Sequence, residues 1–253
     1  MEPFDLAQAF IEQGRQSQSS EALALVFQEV LGRLGFRHFA CCSHVDPLRP
    51  PRAAVMLHNY PMPWVRAYSE RKLVDIDPVF RHAERTLLPF SWDAPELRAR
   101  LTASQREMFA EAASQGLAHG YTIPIHAPWL PGAFHASCSV VPDSPSIGTR
   151  SYFAVELMTT YLYDAATRKR GVDFNDQPQN PLSRRERQCL ELVAQGKSNW
   201  TIGEILGISE HTVHRHIESA KQRLGVATRI QAVIGAAQGH QISIGDVVRA
   251  HGR

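Results

Sequence analysis

Long apolar stretches are missing from this chain: no run approaches the roughly 18–20 residues that a membrane-spanning helix requires. The first ten residues, MEPFDLAQAF, carry neither a basic stretch nor a small-residue cleavage site, so a cytoplasmic protein with no membrane partner is expected. Cysteine is scarce. Cys41, Cys42, Cys138 and Cys189 form no C-x-x-C pair, and the adjacent Cys41 and Cys42 would point to opposite faces of a strand. Buried thiols are therefore expected, with no zinc site, disulfide framework or cofactor. Neither G-x-S-x-G nor H-E-x-x-H occurs, so the expected answer to whether this is an enzyme is no. Charge of either sign is also in short supply, with 27 basic and 25 acidic residues and a net charge of +2.

What is present points to two modules. A length of 253 residues with 43% apolar content can bury a core. The near-neutral total hides an asymmetry: residues 1–180 hold 17 basic and 19 acidic side chains, whereas residues 181–253 hold 10 and 6. A mildly acidic body carries a basic tail, and basic modules often meet nucleic acid.

Ser19 or Ser20 can cap a helix with Leu23, Phe27, Val30, Leu31 and Leu34 on one face and Gly35 at its end. Segments 37–44 and 53–58 then read as an antiparallel hairpin across a proline-rich turn. Helices are predicted over 63–72, 78–85 and 102–115, strands over 121–126 and 134–141, and a long amphipathic helix over 151–169 with Phe153, Val155, Leu157, Met158, Tyr161 and Leu162 inward. Helices flanking a mostly antiparallel sheet make residues 1–170 an α/β sandwich. The polar segment 171–181, GVDFNDQPQNP, reads as a linker.

Residues 182–253 read as an all-α domain of four helices. Ser183 with Glu186 and Thr228 with Gln231 form capping boxes, Ser198 and Ser209 open two further helices, and Gly196, Gly207 and Gly225 close three of them. Ile202, Ile205 and Leu206 are expected inward on the second helix, and Val213, Ile217, Ala220 and Leu224 on the third. The short turn at Gly207–Ile208 has helix-turn-helix spacing, although a plain α-bundle would share it. On the third helix His211, His214, Arg215, Glu218 and Lys221 point away from the apolar stripe.

Residues 182–232 closely resemble the LuxR-type DNA-binding domain, through Glu186, Leu190, Gly196, the K-S-N turn at 197–199, the S-x-x-T-V-x-x-H start at 209–216 and the R-x-x-A at 229–232. Thr201 and Gly203 depart from that pattern, where the family usually has Glu and Ala. A missing capping partner and roughly 1 kcal/mol of helix propensity predict a looser second helix. Candidate phosphate contacts are Arg184, Lys197, Ser198, Asn199, Ser209, Thr212 and Lys221, with Arg185 beside them. Candidate base contacts are His211, His214 and Arg215, while His216 is read as structural.

Upstream, Tyr60, Trp64 and Tyr68 recur every four residues, followed by Asp77-Pro78 and Trp92. Such a stripe serves a core as readily as a ligand, but buried Tyr, Trp and Asp each need a polar partner. With Gly120-Tyr121-Thr122-Ile123-Pro124 downstream, the pattern over about 20–165 resembles the autoinducer-binding domain of LuxR-type quorum-sensing receptors. That resemblance implies an N-acyl homoserine lactone ligand. Trp64 would donate to the lactone carbonyl, Asp77 would accept the ligand amide N–H, and Tyr60 would donate to the acyl carbonyl. Tyr68 and Trp92 would form walls. The segment 134–139 offers three small polar choices, Ser137, Cys138 and Ser139; Ser137 is the candidate strand contact, although a one-residue slip would place Cys138 there instead. Pro61, Pro63 and His135 are expected to reshape the pocket.

The function implied is a ligand-responsive transcriptional regulator that binds palindromic promoter DNA as a homodimer. Its dimer contacts would come from the 151–169 and 228–237 helices, and RNA polymerase is a further partner to consider. The alternatives are a regulator sensing another metabolite or none, and, more distantly, an enzyme acting on an acyl lactone.

Overall fold

The computed structural model describes residues 2–126, 135–144, 146–171, 181–239 and 241–243. The chain forms two compact units, divided within the segment read as a linker. Nearly all of that segment, and the end of the chain beyond residue 243, lies outside the described residues. No described helix is long and apolar enough to cross a membrane.

The N-terminal unit is an antiparallel five-stranded sheet with flanking helices. Its elements in order are α1 (Pro3–Gln16), α2 (Ser20–Arg33), β1 (Phe36–Ser43), β2 (Met56–His58), α3 (Met62–Glu70), α4 (Pro78–Ala83), β3 (Phe90–Ser91), α5 (Pro95–Arg98), α6 (Ala103–Ser114), β4 (Tyr121–Ile125), β5 (Ala136–Pro142) and α7 (Thr149–Lys169). The strand order is β2-β1-β5-β4-β3. The hairpin expected from the sequence is present, with Ala40 opposite His58 and Cys42 opposite Met56.

Three elements are additional to the sequence reading. The helix α1 starts with proline in its first turn and a Glu2–Asp5 capping box, and it buries Leu6, Ala7 and Phe10. The short β3 and α5 follow the helix around Pro78.

One sheet face carries α1, α2 and α7. Phe27 of α2 meets Phe39 of β1 at 5.0 Å and Phe10 of α1 at 5.3 Å between ring centroids, while Tyr152 of α7 meets Phe36 at 5.3 Å. Phe10, Phe27 and Phe39 are fully buried, and each contributes roughly 1.5–3 kcal/mol, a large share of the roughly 5–15 kcal/mol that holds a domain together. The inward stripe of α7 is Ala154, Val155, Met158, Leu162 and Tyr163. Phe153 and Leu157, expected inward, are 51% and 55% exposed, because the helix phase is set by Val155 and Met158 against the core. The other sheet face, presenting Ala40, Cys42 and Ser139, looks into a cavity under α3, α4 and α6. Alternation puts Cys41 and its direct partner Cys138 on the helix-covered face. All four cysteines are free and buried, and burial pushes the Cys42 thiol up to about 12.

The C-terminal unit holds α8 (Arg184–Ala194), α9 (Asn199–Leu206), α10 (Glu210–Leu224) and α11 (Arg229–Gln238). Ser183, Ser198, Ser209 and Thr228 each accept a backbone N–H at the helix start they were expected to cap. Ile202, Val213, Ile217 and Cys189 share one apolar cluster, and Leu190, Ala220, Ala232 and Ala236 another. Ile205, expected inward, is 54% exposed.

As the departure at Thr201 implies, α9 has no reciprocal capping box: the Ser198 side chain accepts the Thr201 N–H. The Thr201 hydroxyl hydrogen-bonds the Ser198 hydroxyl at 2.9 Å, a contact between side chains and not the acceptor for the Ser198 N–H that a capping-box glutamate supplies. At Gly203 a β-carbon would lie 2.6 Å from the Ile208 carbonyl oxygen, so the glycine is where the helix and the following turn touch.

Glu186 ties this unit together. One carboxylate oxygen accepts the Ser183 N–H at 2.7 Å; the other accepts the Ser219 hydroxyl at 2.5 Å and the Arg223 guanidinium at 3.2 Å, joining α8 to α10. Burial raises its pKa, but the Ser219 and Ser183 hydrogen bonds outweigh it and hold the carboxyl below its ordinary value. The charged form therefore stabilises the fold above the ordinary glutamate pKa of 4.5, and that contribution is lost as pH falls through the depressed value. Glu186→Gln is expected to cost about 1–3 kcal/mol at neutral pH, with the deficit shrinking in acid, as checked by hydrogen exchange across α8 and α10 between neutral and acidic pH.

Candidate functional site

The cavity of the N-terminal unit has a volume of about 270 Å³. Its floor is the β1–β5 surface, and its walls are the residues singled out from the sequence. Trp64 and Tyr68, one helical turn apart on α3, both line it, with ring centroids 5.8 Å apart. Tyr60 lies just before the Pro61 cap of α3, and Asp77 is the N-cap of α4.

Asp77 is buried with both carboxylate oxygens engaged. Oδ1 accepts the Val79 N–H at 2.8 Å, and Oδ2 accepts the Tyr68 hydroxyl at 2.8 Å. Burial raises its pKa, the Tyr68 and Val79 bonds pull it down, and the balance lies above the ordinary aspartate value. Tyr68 is thus more than a wall, because it holds the carboxylate in place. The Tyr60 hydroxyl is buried and has no hydrogen-bond partner among the described residues. Desolvation drives its pKa well above the ordinary phenol value, with Ser139 acting the other way. An unpaired buried hydroxyl costs about 1–3 kcal/mol, so it is available to any acceptor that enters the cavity.

Trp92 lines the cavity, but its indole N–H is already committed, donating to Thr122 Oγ1 at 2.8 Å, with Thr122 in turn bonded to Ser139 at 2.8 Å. The indole lies directly on Gly120, where a β-carbon would come within 2.2 Å of the ring. Ser137 shares the cavity-facing side of β5, opposite Cys42, but its hydroxyl pairs with His44 Nε2 at 2.9 Å. Ser139, two residues on, lines the cavity instead. Phe80 was not singled out from the sequence, whereas Ser139 stood among the three small polar choices of the 134–139 segment, beside the preferred Ser137, and the period of two along β5 puts both on one side.

The arrangement is a mostly apolar enclosure with a donor at Tyr60 and an acceptor at Asp77 on nearby walls. It suits a small molecule with an acyl tail and an amide-like polar head.

In the C-terminal unit, α9, the turn at Gly207 and α10 form a helix-turn-helix, with Gly207 in the left-handed region at φ 65°. Arg184, Lys197, Ser198, Ser209, His211, His214 and Arg215 are exposed. Ser209 caps α10 and bonds Thr212 Oγ1 at 2.8 Å. Asn199 is half-buried, and its Oδ1 has no partner among the described residues. Lys221 differs from the rest: its ammonium donates to both Glu218 oxygens at 2.8 Å, so its charge is largely neutralised within the helix.

Substituting Gly120→Ala forces Trp92 off its seat and is expected to destabilise the N-terminal unit by about 1–3 kcal/mol, with a changed tryptophan emission, both read in one thermal fluorescence melt.

Residues 19–166 match the family model "Autoinducer binding domain", and residues 180–236 match "Bacterial regulatory proteins, luxR family". The chain is 29% identical over 235 residues to the transcriptional activator protein VanR of Vibrio anguillarum, covering 92% of this chain and 96% of that protein. It is 32% identical over 222 residues to the quorum sensing-dependent transcriptional regulator RpaR of Rhodopseudomonas palustris, covering 85% and 87%. Its fold is similar to the crystal structure of Escherichia coli SdiA, with a TM-score of 0.65 at 21% identity, covering 94% of this chain and 98% of that one. The paired domain matches and these full-length relatives agree with the cavity and the helix-turn-helix, and the chain belongs to the LuxR family of bacterial quorum-sensing transcriptional regulators.

Proposed function

We propose that the N-terminal unit binds an N-acyl homoserine lactone and that the C-terminal unit binds a palindromic promoter site as part of a homodimer. The observation that carries the ligand half is the Tyr60 hydroxyl, buried at the cavity with no hydrogen-bond partner among the described residues. In this reading it donates to the acyl carbonyl, Trp64 donates to the lactone carbonyl, and Asp77 accepts the amide N–H while Tyr68 holds it. Trp92 and Phe109 wall the chamber, with ring centroids 6.0 Å apart. Ligand in the cavity completes a hollow core and stabilises the folded unit by mass action.

For the DNA half, α10 would enter the major groove. Arg215 is the donor best suited to a guanine edge, while Arg184, Lys197 and the α9 and α10 helix starts contact phosphates. Lys221, paired with Glu218, contributes less than its charge suggests. Two exposed apolar pairs, Phe153 with Leu157 on α7 and Ile230 with Ile234 on α11, each sit four residues apart on one helix face. They suit two-fold contacts, which would match protein symmetry to operator symmetry.

Three experiments test the reading. Tyr60→Phe is expected to leave unliganded stability unchanged or slightly raised, because it deletes an unpaired hydroxyl, while weakening the lactone response about ten- to hundredfold in a reporter dose curve. Equal melting temperature and operator affinity with and without every lactone class tested would overturn the ligand half. Arg215→Ala is expected to cost about 1–3 kcal/mol on the cognate operator and much less on scrambled DNA, measured by fluorescence anisotropy at fixed salt.

A further inference from the structure

Behind one wall of the cavity sits a polar cluster that ligand binding as described above does not use. His44, just after β1, lies flat against Phe80, with ring centroids 4.0 Å apart and 10° between planes. Only 3% of its side chain is exposed. Its Nδ1 faces Glu84 Oε1 at 3.2 Å and its Nε2 faces the Ser137 hydroxyl at 2.9 Å. Burial brings its pKa down to about 4, Glu84 pulls the other way, and His135 and His126 add to the depression. The imidazole is therefore neutral near pH 7. A carboxylate only accepts, so Nδ1 carries the proton, and Nε2 accepts from Ser137.

This arrangement fixes the ring at three points: both nitrogens are bonded and one face is stacked. Phe80 is held in turn, since its ring has His44 flat on one side and the Tyr68 ring at 6.4 Å. Phe80 lines the cavity together with the apolar Val45, Pro47 and Met56, and an acyl group would occupy a compartment of that chemistry. The width of that compartment thus depends on a residue that does not itself line it.

We propose that His44 is a positioning residue for ligand selectivity: stacked on Phe80 and anchored by Ser137 and Glu84, it holds the wall that limits the size of the acyl group. This rests on the lactone reading of the cavity.

The test compares hexanoyl- and dodecanoyl-homoserine lactone as probes in a reporter strain, using the ratio of their half-maximal doses within each variant, so that changes in protein level cancel. His44→Ala lets Phe80 retreat and is expected to shift the ratio about tenfold or more toward the dodecanoyl probe. His44→Phe keeps a flat ring behind Phe80 and is expected to hold the ratio near the wild-type value. Phe80→Leu, which leaves the polar cluster intact, is expected to shift it in the same direction as His44→Ala. Should His44→Ala yield no folded protein, the other two variants decide. The proposal falls if His44→Ala weakens both probes by the same factor, if His44→Phe shifts the ratio as His44→Ala does, or if Phe80→Leu leaves it unmoved. A wild-type protein that responds to no lactone removes the underlying reading and the proposal with it, whereas a wild-type response with an unshifted ratio removes the proposal alone.

Discussion

The carboxylate of Asp77 has two oxygens, and each is spoken for before any ligand arrives: one caps α4 through Val79, and the other receives the Tyr68 hydroxyl from α3. A buried carboxylate without such partners would take up a proton or pull in water, because desolvation of the charged form costs several kcal/mol. Fixing it therefore fixes two helices against each other. The cavity lies between those helices and the sheet, so its shape follows from satisfying one charge. Trp64, one turn before Tyr68, is carried to the cavity by the same helix, and Phe80 is brought there by the helix that Asp77 begins.

The sheet contributes the complementary constraint. Alternation along β1 and β5 separates a helix-covered face, with Phe39, Cys41 and Cys138, from a cavity face with Ala40, Cys42, Ser137 and Ser139. The hydroxyls on the cavity face do not act alike. Ser139 is linked through Thr122 to the Trp92 indole, whereas Ser137 is drawn off by His44. The sheet thus supplies several small polar groups, and their neighbours decide which remain turned toward the chamber. In the C-terminal unit Glu186 plays the organising part that Asp77 plays upstream, a buried carboxylate that caps its own helix and gathers Ser219 and Arg223 from α10.

How legible each part was depends on the range of the interactions that define it. The reader helices are set by contacts three or four residues apart, Ser183 to Glu186, Ser198 to Thr201, Ser209 to Thr212 and Thr228 to Gln231, and such spacings stand in the sequence itself. The cavity residues Tyr60, Trp64, Tyr68, Asp77 and Trp92 were reached through a four-residue repeat and the resemblance to a known domain, and they line one cavity. The partnerships among them were not legible. Ser137 finds His44 across 93 positions, and Trp92 finds Thr122 across 30. The outward turn of Phe153 and Leu157 was hidden for a related reason: α7 has apolar residues on more than one side, and only contact with the sheet selects the buried stripe.

The sequence by itself determined the division into an acidic body and a basic tail, the helix starts and stops of the tail, and which side chains could serve a ligand or a groove. These depend on composition and on local backbone hydrogen bonding, which act within a few residues. Tertiary structure alone decided which polar atoms are spent and which are left over: Ser137 withdrawn by His44, Tyr68 tied to Asp77 and the Tyr60 hydroxyl without a partner among the described residues. The physical reason is that the burial and satisfaction of a polar group are settled by neighbours from distant parts of the chain, and only the packed sheet and helices bring those neighbours within hydrogen-bonding distance.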